Sequence, residues 1–403
     1  MEDILNLLQP YFDFNLIELS AILTFILLFG IQIFYYSVFY RKILSFLKRL
    51  KKGEVNYAAD NPSVSVIICS MNNSENLKRC LPTILEQDYP NFEVIIVNDS
   101  FTVECQSLVN EYQKKYANLY STYIPEGAKF LSRKKLAITV AAKAAKNDIL
   151  LFTEPNCYLE DKHWISGMMR NFTPDTGITL GYCRYERVAG YTNRLASFDN
   201  LFSAMQYLGY AVDHRPYKAV GLNLAYRKKI FFENKGFAKY LFLQIGEDDL
   251  FINEIAGKES TRIELSPESI PTCRFLRYNW KMKKMNDALT SKFYPKSVSW
   301  LFGFETFTRY LFYALFLGIA ALSCLKVFLW TLAVIAGIFF GIRFYIQLSV
   351  INKTASKLKE QKFYMSVLYF DLILPVINVY YKLFRKFGGK KDYTYNYNCN
   401  HIY

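Results

Sequence analysis

SVSVIICSMNNSENLKRCLPTILEQDYPNFEVIIVNDS, residues 63–100, decides the fold. Its opening SVSVIIC (63–69) is a short run rich in β-branched side chains, with the length of a buried strand. Polar SMNNSEN (70–76) gives way to a helical pattern, LKRCLPTILEQ (77–87). After the turn signal QDYPN, FEVIIV (92–97) reads as a second buried strand and ends in NDS. The alternation continues with a helix-like 103–116, an Ala-rich helix over 134–146 and a third strand, DILLFT (148–153). Strands alternating with helices predict a parallel sheet wound by right-handed crossovers, a Rossmann-like α/β core. Ligands of such sheets sit beyond the carboxyl ends of the strands. Three polar clusters fall on that edge: 70–76, 98–100 and 154–156.

The rest of the chain supplies a membrane. Of 403 residues, 52% are hydrophobic and 21% charged, and the apolar ones are unevenly spread. Residues 16–40 carry one charge, Glu18, and exceed the ~20 apolar residues that cross a hydrocarbon layer of ~30 Å. The acidic start MEDILNLLQPYFDFN is not that of a cleaved signal peptide, so 16–40 reads as an anchor following a short external N-terminus, 1–15. The basic run RKILSFLKRLKK follows it, within a juxtamembrane linker at 41–60. Such residues stay on the cytoplasmic side, which places the 61–298 domain inside. The run is also suited to a solvated helix or to anionic lipid. Within 304–348, two apolar runs separated by Lys326 read as a hairpin of two spans, with Arg343 snorkelling to the interface. A third run, 363–384, holds Asp371 and Pro375 between basic flanks, and reads as a re-entrant or interfacial helix, or else a span. The tail 385–403 is polar.

The net charge of +14 sits largely in these flanks, which speaks for membrane lipids rather than nucleic acid as partner. The eight cysteines form no C-x-x-C pair and read as reduced, packed thiols. Three scattered histidines make no zinc site.

Four segments of the core carry a resemblance: 62–74 with QDYPNFEVIIVNDS, KKLAITVAAKAAKNDILLFTEPNC (134–157), GLNLAYRKKIFFENKGF (221–237) and IGEDDLFINEI (245–255). In order and spacing they resemble family 2 glycosyltransferases, over about 62–294. That resemblance implies a GT-A fold (the nucleotide-diphospho-sugar transferase core) with flanking transmembrane helices. It implies a nucleotide-sugar donor, a lipid-linked or saccharide acceptor, envelope polysaccharide synthesis and inverting transfer at the cytoplasmic face of a multi-pass cell (inner) membrane protein.

Residue roles follow from the same resemblance. Asp99 would hold the base or ribose; otherwise it caps a turn. Lys134 and Lys135 open a helix, and Lys135 is assigned to the phosphates; both also suit a solvated turn. Where the family carries Asp-x-Asp for Mg²⁺ or Mn²⁺, this chain has Glu154-Pro155-Asn156, one carboxylate and one neutral amide for a hard ion. Glu154 and Asn156 are thus the expected, weak metal ligands, and the alternative is a plain turn. Asp248 would be the general base, its proton affinity raised by Glu247 and Asp249 beside it; acids at a helix N-terminus are the alternative. Asn223, Tyr226 and Arg227 would line the pocket, and Trp280 would close it. The stretch WKMKKMN that holds Trp280 departs from the family's Q-x-x-R-W/H motif, and an interfacial helix accounts for it too. A catalytically silent homologue that binds a partner or the nucleotide-sugar is the rival reading.

Overall fold

The structure is a computed structural model that describes residues 16–70, 74–98, 103–124, 132–256, 260–325 and 330–387. Asp99, Lys326, the N-terminal 1–15 and the tail from 388 lie outside them.

The core begins with β1 (Val64–Ser70), α-helix Ser74–Leu85, β2 (Phe92–Asn98), helix Val103–Lys115, β3 (Leu119–Tyr123), helix Arg133–Ala144 and β4 (Ile149–Thr153). It continues through β5 (Cys157–Tyr158), helix Trp164–Met169, β6 (Thr176–Gly181), β7 (Arg184–Tyr185), helix Tyr191–Val212 and β8 (Leu224–Arg227). Helices Lys228–Glu233 and Asp249–Ile255, β9 (Ser260–Glu264), β10 (Thr272–Cys273) and helix Arg277–Thr290 complete it. Counting helices from the chain start, with α1 (Leu16–Phe34) and α2 (Lys42–Lys51) ahead of the core, these eight are α3 to α10. Three long helices follow: α11 (Lys296–Leu325), α12 (Trp330–Lys357) and α13 (Ser366–Phe387).

Seven strands form one sheet in the order β3-β2-β1-β4-β8-β6-β9, and β5-β10-β7 form a small second one. The first four strands are parallel, as the alternation predicts. β8 runs antiparallel to both β4 and β6. Its start therefore lies at the same edge as the ends of β1 and β4. Both faces of the sheet are covered, which explains why its central strands read as continuous apolar runs. Ile67 and Phe152 pack with α5 and α7, while Val66, Ile68 and Leu151 pack with α3 and Trp164 of α6. The apolar residues Leu77, Leu81 and Ile84 of α3 recur at helical spacing and bury one stripe.

The basic run at 41–60 is more than a linker. α1 continues through a π-helical turn (Tyr35–Phe39) into α2, which lies against α7. Ile43 is buried there, and Lys42 pairs with Asp213. Tyr36 and Tyr40 join the same apolar core as the sheet, as do Phe363, just before α13, and Phe370 within it. Among the described residues, four helices are long and apolar enough to cross a membrane: Glu18–Lys51, Lys296–Cys324, Trp330–Lys357 and Ser366–Phe384. The third apolar run is thus one continuous helix with Pro375 inside, and α10 packs against it.

Arg343 does not snorkel. It is fully buried, and its guanidinium donates to Tyr313 Oη at 2.6 Å, Gln347 Oε1 at 2.9 Å and Gln32 Oε1 at 3.1 Å. It also meets Asp371 at 3.3 Å, where Arg309 is the second cationic partner. Solvating the charge inside the helix group replaces the distant interface, and Asp371, which made the third run ambiguous, is the anion that does so. Among the described cysteines, which form no disulfide, Cys80, Cys105, Cys157, Cys183 and Cys273 are packed thiols, Cys69 is half-buried and Cys324 is exposed.

Removing Asp371 would leave the buried Arg343 guanidinium without a carboxylate and Arg309 with Glu305 alone. Asp371→Ala is expected to lower the unfolding free energy in detergent by about 3–5 kcal/mol. A loss below ~1 kcal/mol would show that the network carries little energy.

Candidate functional site

A small cavity, partly open to solvent, lies at the carboxyl edge of β1 and β4. Ile67, Phe152, Leu224 and Tyr226 make its apolar wall, and Lys134, Glu154, Glu247 and Asp248 its polar rim. The four polar residues arrive from three separate parts of the chain. Glu154 follows β4 directly, Lys134 sits in the first turn of α5, and Glu247 and Asp248 precede α9.

Local sequence fixes these positions. Ser132 caps α5, accepting from Lys135 N–H and donating to Gln244 O at 2.6 Å, which ties α5 to the segment before α9. Gly246 has a φ of +91°, and a Cβ there would lie 2.6 Å from Leu250 Cδ1. The turn that delivers the three acids therefore requires glycine. Asp248 caps α9 through Oδ1, which accepts from Asp249 N–H at 2.7 Å. Its Oδ2 accepts from Gly221 N–H at 2.8 Å, across the cavity mouth at the entrance to β8.

Lys134 Nζ stands 2.7 Å from Glu154 Oε1 and 2.8 Å from Glu247 Oε1. Burial works against its charge, yet Glu154, Glu247 and Asp248 keep it protonated far above the ordinary lysine range. Burial also opposes ionisation of Glu247, and the Lys134 ammonium overrides it and holds that carboxyl below its usual range. Asp248 goes the other way: burial first, then the charges of Asp249 and Glu247, push it up to about 7. Two neighbouring carboxyls are thus driven apart in proton affinity, one a fixed anion and one able to exchange a proton near neutrality.

The predicted residues divide. Glu154, Glu247, Asp248 and Tyr226 line the cavity. Lys135 does not reach it: the side chain is buried, and Nζ donates to Tyr240 O at 2.7 Å and Leu243 O at 2.9 Å. Adjacent helical residues point ~100° apart, so only one of the two lysines can face the cavity. Asn223 is committed to structure, accepting from Trp164 Nε1 and donating to Tyr182 O and Ser269 O, each at 2.9 Å. Its amide fills the space where a Cβ on Gly181 would stand, 2.2 Å from Nδ2. Arg227 binds the carbonyls of Thr173 and Thr176, and Trp280 is buried with its indole N–H on Asp199 at 2.9 Å. Asp249 turns into a second network, accepting from Tyr294 Oη at 2.6 Å, near the Lys218–Asp287 pair. Lys218 and Tyr294 lie outside the four resemblance segments, and Gly221, which opens the third, had no role assigned to it there.

Glu154 and Asn156 as folded do not fit a divalent ion. The Glu154 carboxylate is paired with Lys134, and the Asn156 amide oxygen faces the Cys157 thiol at 3.6 Å. Among the described residues no three His, Cys, Asp or Glu side chains cluster as metal donors. The carboxylates that bracket a cation are Glu154 and Glu247, and the cation between them is an ammonium.

Asp248 should make folding stability depend on pH. Its folded proton affinity exceeds that of an unfolded Asp near 3.9. The native state therefore binds more protons between about pH 4 and about 7, and stability falls across that window and levels off above it. Asn does not titrate. The melting temperature of Asp248→Asn minus that of the unsubstituted protein is expected to climb from pH 4 to 7; a pH-independent difference would contradict the shift.

Residues 65–233 match the family described as Glycosyl transferase family 2. A poly(ribitol-phosphate) beta-glucosyltransferase of Bacillus spizizenii is 26% identical over 125 residues, 29% of this chain and 18% of that protein. The chain thus spans under a fifth of the length of that relative. Among solved structures, the mannosyltransferase PcManGT from Pyrobaculum calidifontis, in complex with GDP-Man and Mn²⁺, aligns over 82% of this chain and 98% of its own. Its identity is 15% and the TM-score 0.49. TarS 1–349 of S. aureus aligns over 53% of this chain and 60% of its own, at 19% identity and a TM-score of 0.38. Residues 65–233, which run from β1 to α8, thus carry a domain similar to family 2 glycosyltransferases.

Proposed function

We propose that the chain moves a sugar from a nucleotide-sugar donor to a lipid-linked or saccharide acceptor, with inversion, and that Asp248 is the general base. In the transfer, the acceptor hydroxyl oxygen bonds to the anomeric carbon while the bond from that carbon to the diphosphate breaks. The electron pair leaves with the nucleoside diphosphate, and the hydroxyl proton passes to the Asp248 carboxylate.

One observation carries this reading: a cavity-lining carboxyl set to titrate at about 7 beside one held ionised. A base works best with proton affinity near the working pH. The Gly221 N–H and the α9 N-terminus fix the orientation of Asp248, so the base is positioned before substrate arrives. Ile67, Phe152, Leu224 and Tyr226 give the cavity an apolar wall beside Asp248. By its place after β2, Asp99 is assigned to the nucleotide; Tyr226 forms part of the floor.

The membrane arrangement belongs to the same proposal. α1, α11 and α12 cross the bilayer, α13 is the fourth candidate, and the basic face of α2 keeps the transferase domain on the cytoplasmic side. The packing of α2 on α7 supports a domain held against the membrane surface, where a lipid-linked acceptor is within reach. A reporter fused after Gly53 should then be cytoplasmic and one at the N-terminus external; an external signal after Gly53 would reverse the topology.

Catalysis is tested on the full chain in detergent with a panel of UDP- and GDP-sugars. Transfer by the unsubstituted protein should rise with pH through about 7 as Asp248 ionises, then level off. Asp248→Asn should lower it by roughly 10²–10⁴-fold, with nucleotide-sugar binding retained. Full transfer in that variant would remove Asp248 from the mechanism. Binding without transfer by the unsubstituted protein, for every donor, would make it a silent homologue.

A further inference from the structure

The place between Glu154 and Glu247 is a cation site that the chain fills from within. Lys134 reaches it from the first turn of α5 and contacts both carboxylates. The Lys134 side chain retains about a third of its exposure, 32%, so the ammonium stands in the cleft rather than in the core. Of its three N–H donors, two are taken by the carboxylates.

A divalent ion drawn to the same oxygens would need them at ~2.0–2.6 Å. It would then stand within a few ångströms of the ammonium, and like charges at that range repel strongly in a partly buried cleft. Asn156, the other expected ligand, brings no charge to compensate. The rim also remains net negative once Asp248 ionises, with three carboxylates against one ammonium. The positive charge in contact with these carboxylates is the Lys134 ammonium, while Lys135 is held on the carbonyls of Tyr240 and Leu243 and Lys218 on Asp287.

We propose that Lys134 is the resident cation of this site and competes directly with divalent metal ions for Glu154 and Glu247, so that it sets how weakly the site holds a metal. This rests on the transferase reading for its catalytic meaning, because an ammonium and a metal ion offer different charge to a diphosphate. The competition itself is measurable with no sugar present, so its failure is distinguishable from the failure of that reading.

The probe is Mn²⁺ alone, titrated into the full chain in detergent and followed by electron paramagnetic resonance. Lys134→Gln removes the ammonium and leaves the carboxylates, and should tighten Mn²⁺ binding by at least ~10-fold. Lys134→Arg keeps the charge and should bind no better than the unsubstituted protein. Adding Glu154→Gln to Lys134→Gln should cancel the gain, which places the ion at this carboxylate. Should Lys134→Gln unfold, Lys134→Met tests the same point with a similar stem. Equal Mn²⁺ affinity with and without the ammonium would overturn the proposal. A gain that survives Glu154→Gln would do so as well.

Discussion

Lys134 brings one positive charge into a cleft that Glu154, Glu247 and Asp248 share, and the three acids come from parts of the chain that the ammonium joins. Glu154 belongs to the end of β4, and Glu247 to the turn before α9. With the ammonium in place Glu247 stays ionised, and an ionised Glu247 is one of the charges that raise Asp248. The proton affinity of the proposed base therefore depends on the lysine twice: Lys134 lowers it directly and raises it indirectly by keeping Glu247 charged. The direct attraction is the smaller influence, since burial and the two carboxylates still leave Asp248 near neutrality.

A second buried charge network performs a different task. Asp371 gathers Arg309 and Arg343 from separate helices, with Gln32, Gln347 and Tyr313 completing their hydrogen bonds. Buried ion pairs add little net stability over apolar packing, but they penalise wrong arrangements heavily. In a bundle of otherwise apolar helices, such a network selects one rotation and one depth for each helix. Because Tyr36 and Tyr40 of the same region enter the core that also contains the sheet, that choice is passed to the transferase domain. The orientation of the cleft relative to the bundle is thus a packing consequence, set by α2 on α7 and α10 on α13.

Much of the fold was legible in the chain because it rests on local pattern. The β-branched runs at 63–69, 92–97 and 148–153 are strands, and their parallel pairing follows from the helices between them. Antiparallel β8 has no such signal; its insertion between β4 and β6 is a long-range choice. At the site, motif membership identified Glu154, Glu247 and Asp248, which line the cavity. The same motifs contain Asn223 and Arg227, whose polar atoms are spent on main-chain carbonyls and an indole. A motif records that a residue is needed and not which way it points. The choice between Lys134 and Lys135 turned on helix rotation, fixed by the Ser132 cap and the carbonyls of Tyr240 and Leu243. Arg343 and Asp371 read as interruptions of apolar runs because their pairing joins different helices.

The Lys134 bridge is an energetic link and not a chance approach of long side chains. A double-mutant cycle on the full chain in detergent tests it, with Lys134→Met, Glu247→Gln and the pair compared in reversible unfolding. The expected coupling is about 1 kcal/mol or more, in line with residues in one ion-pair network even after allowing for partial exposure. Additivity to within ~0.3 kcal/mol would contradict it, and with it the claim that Lys134 governs the charge of the cleft.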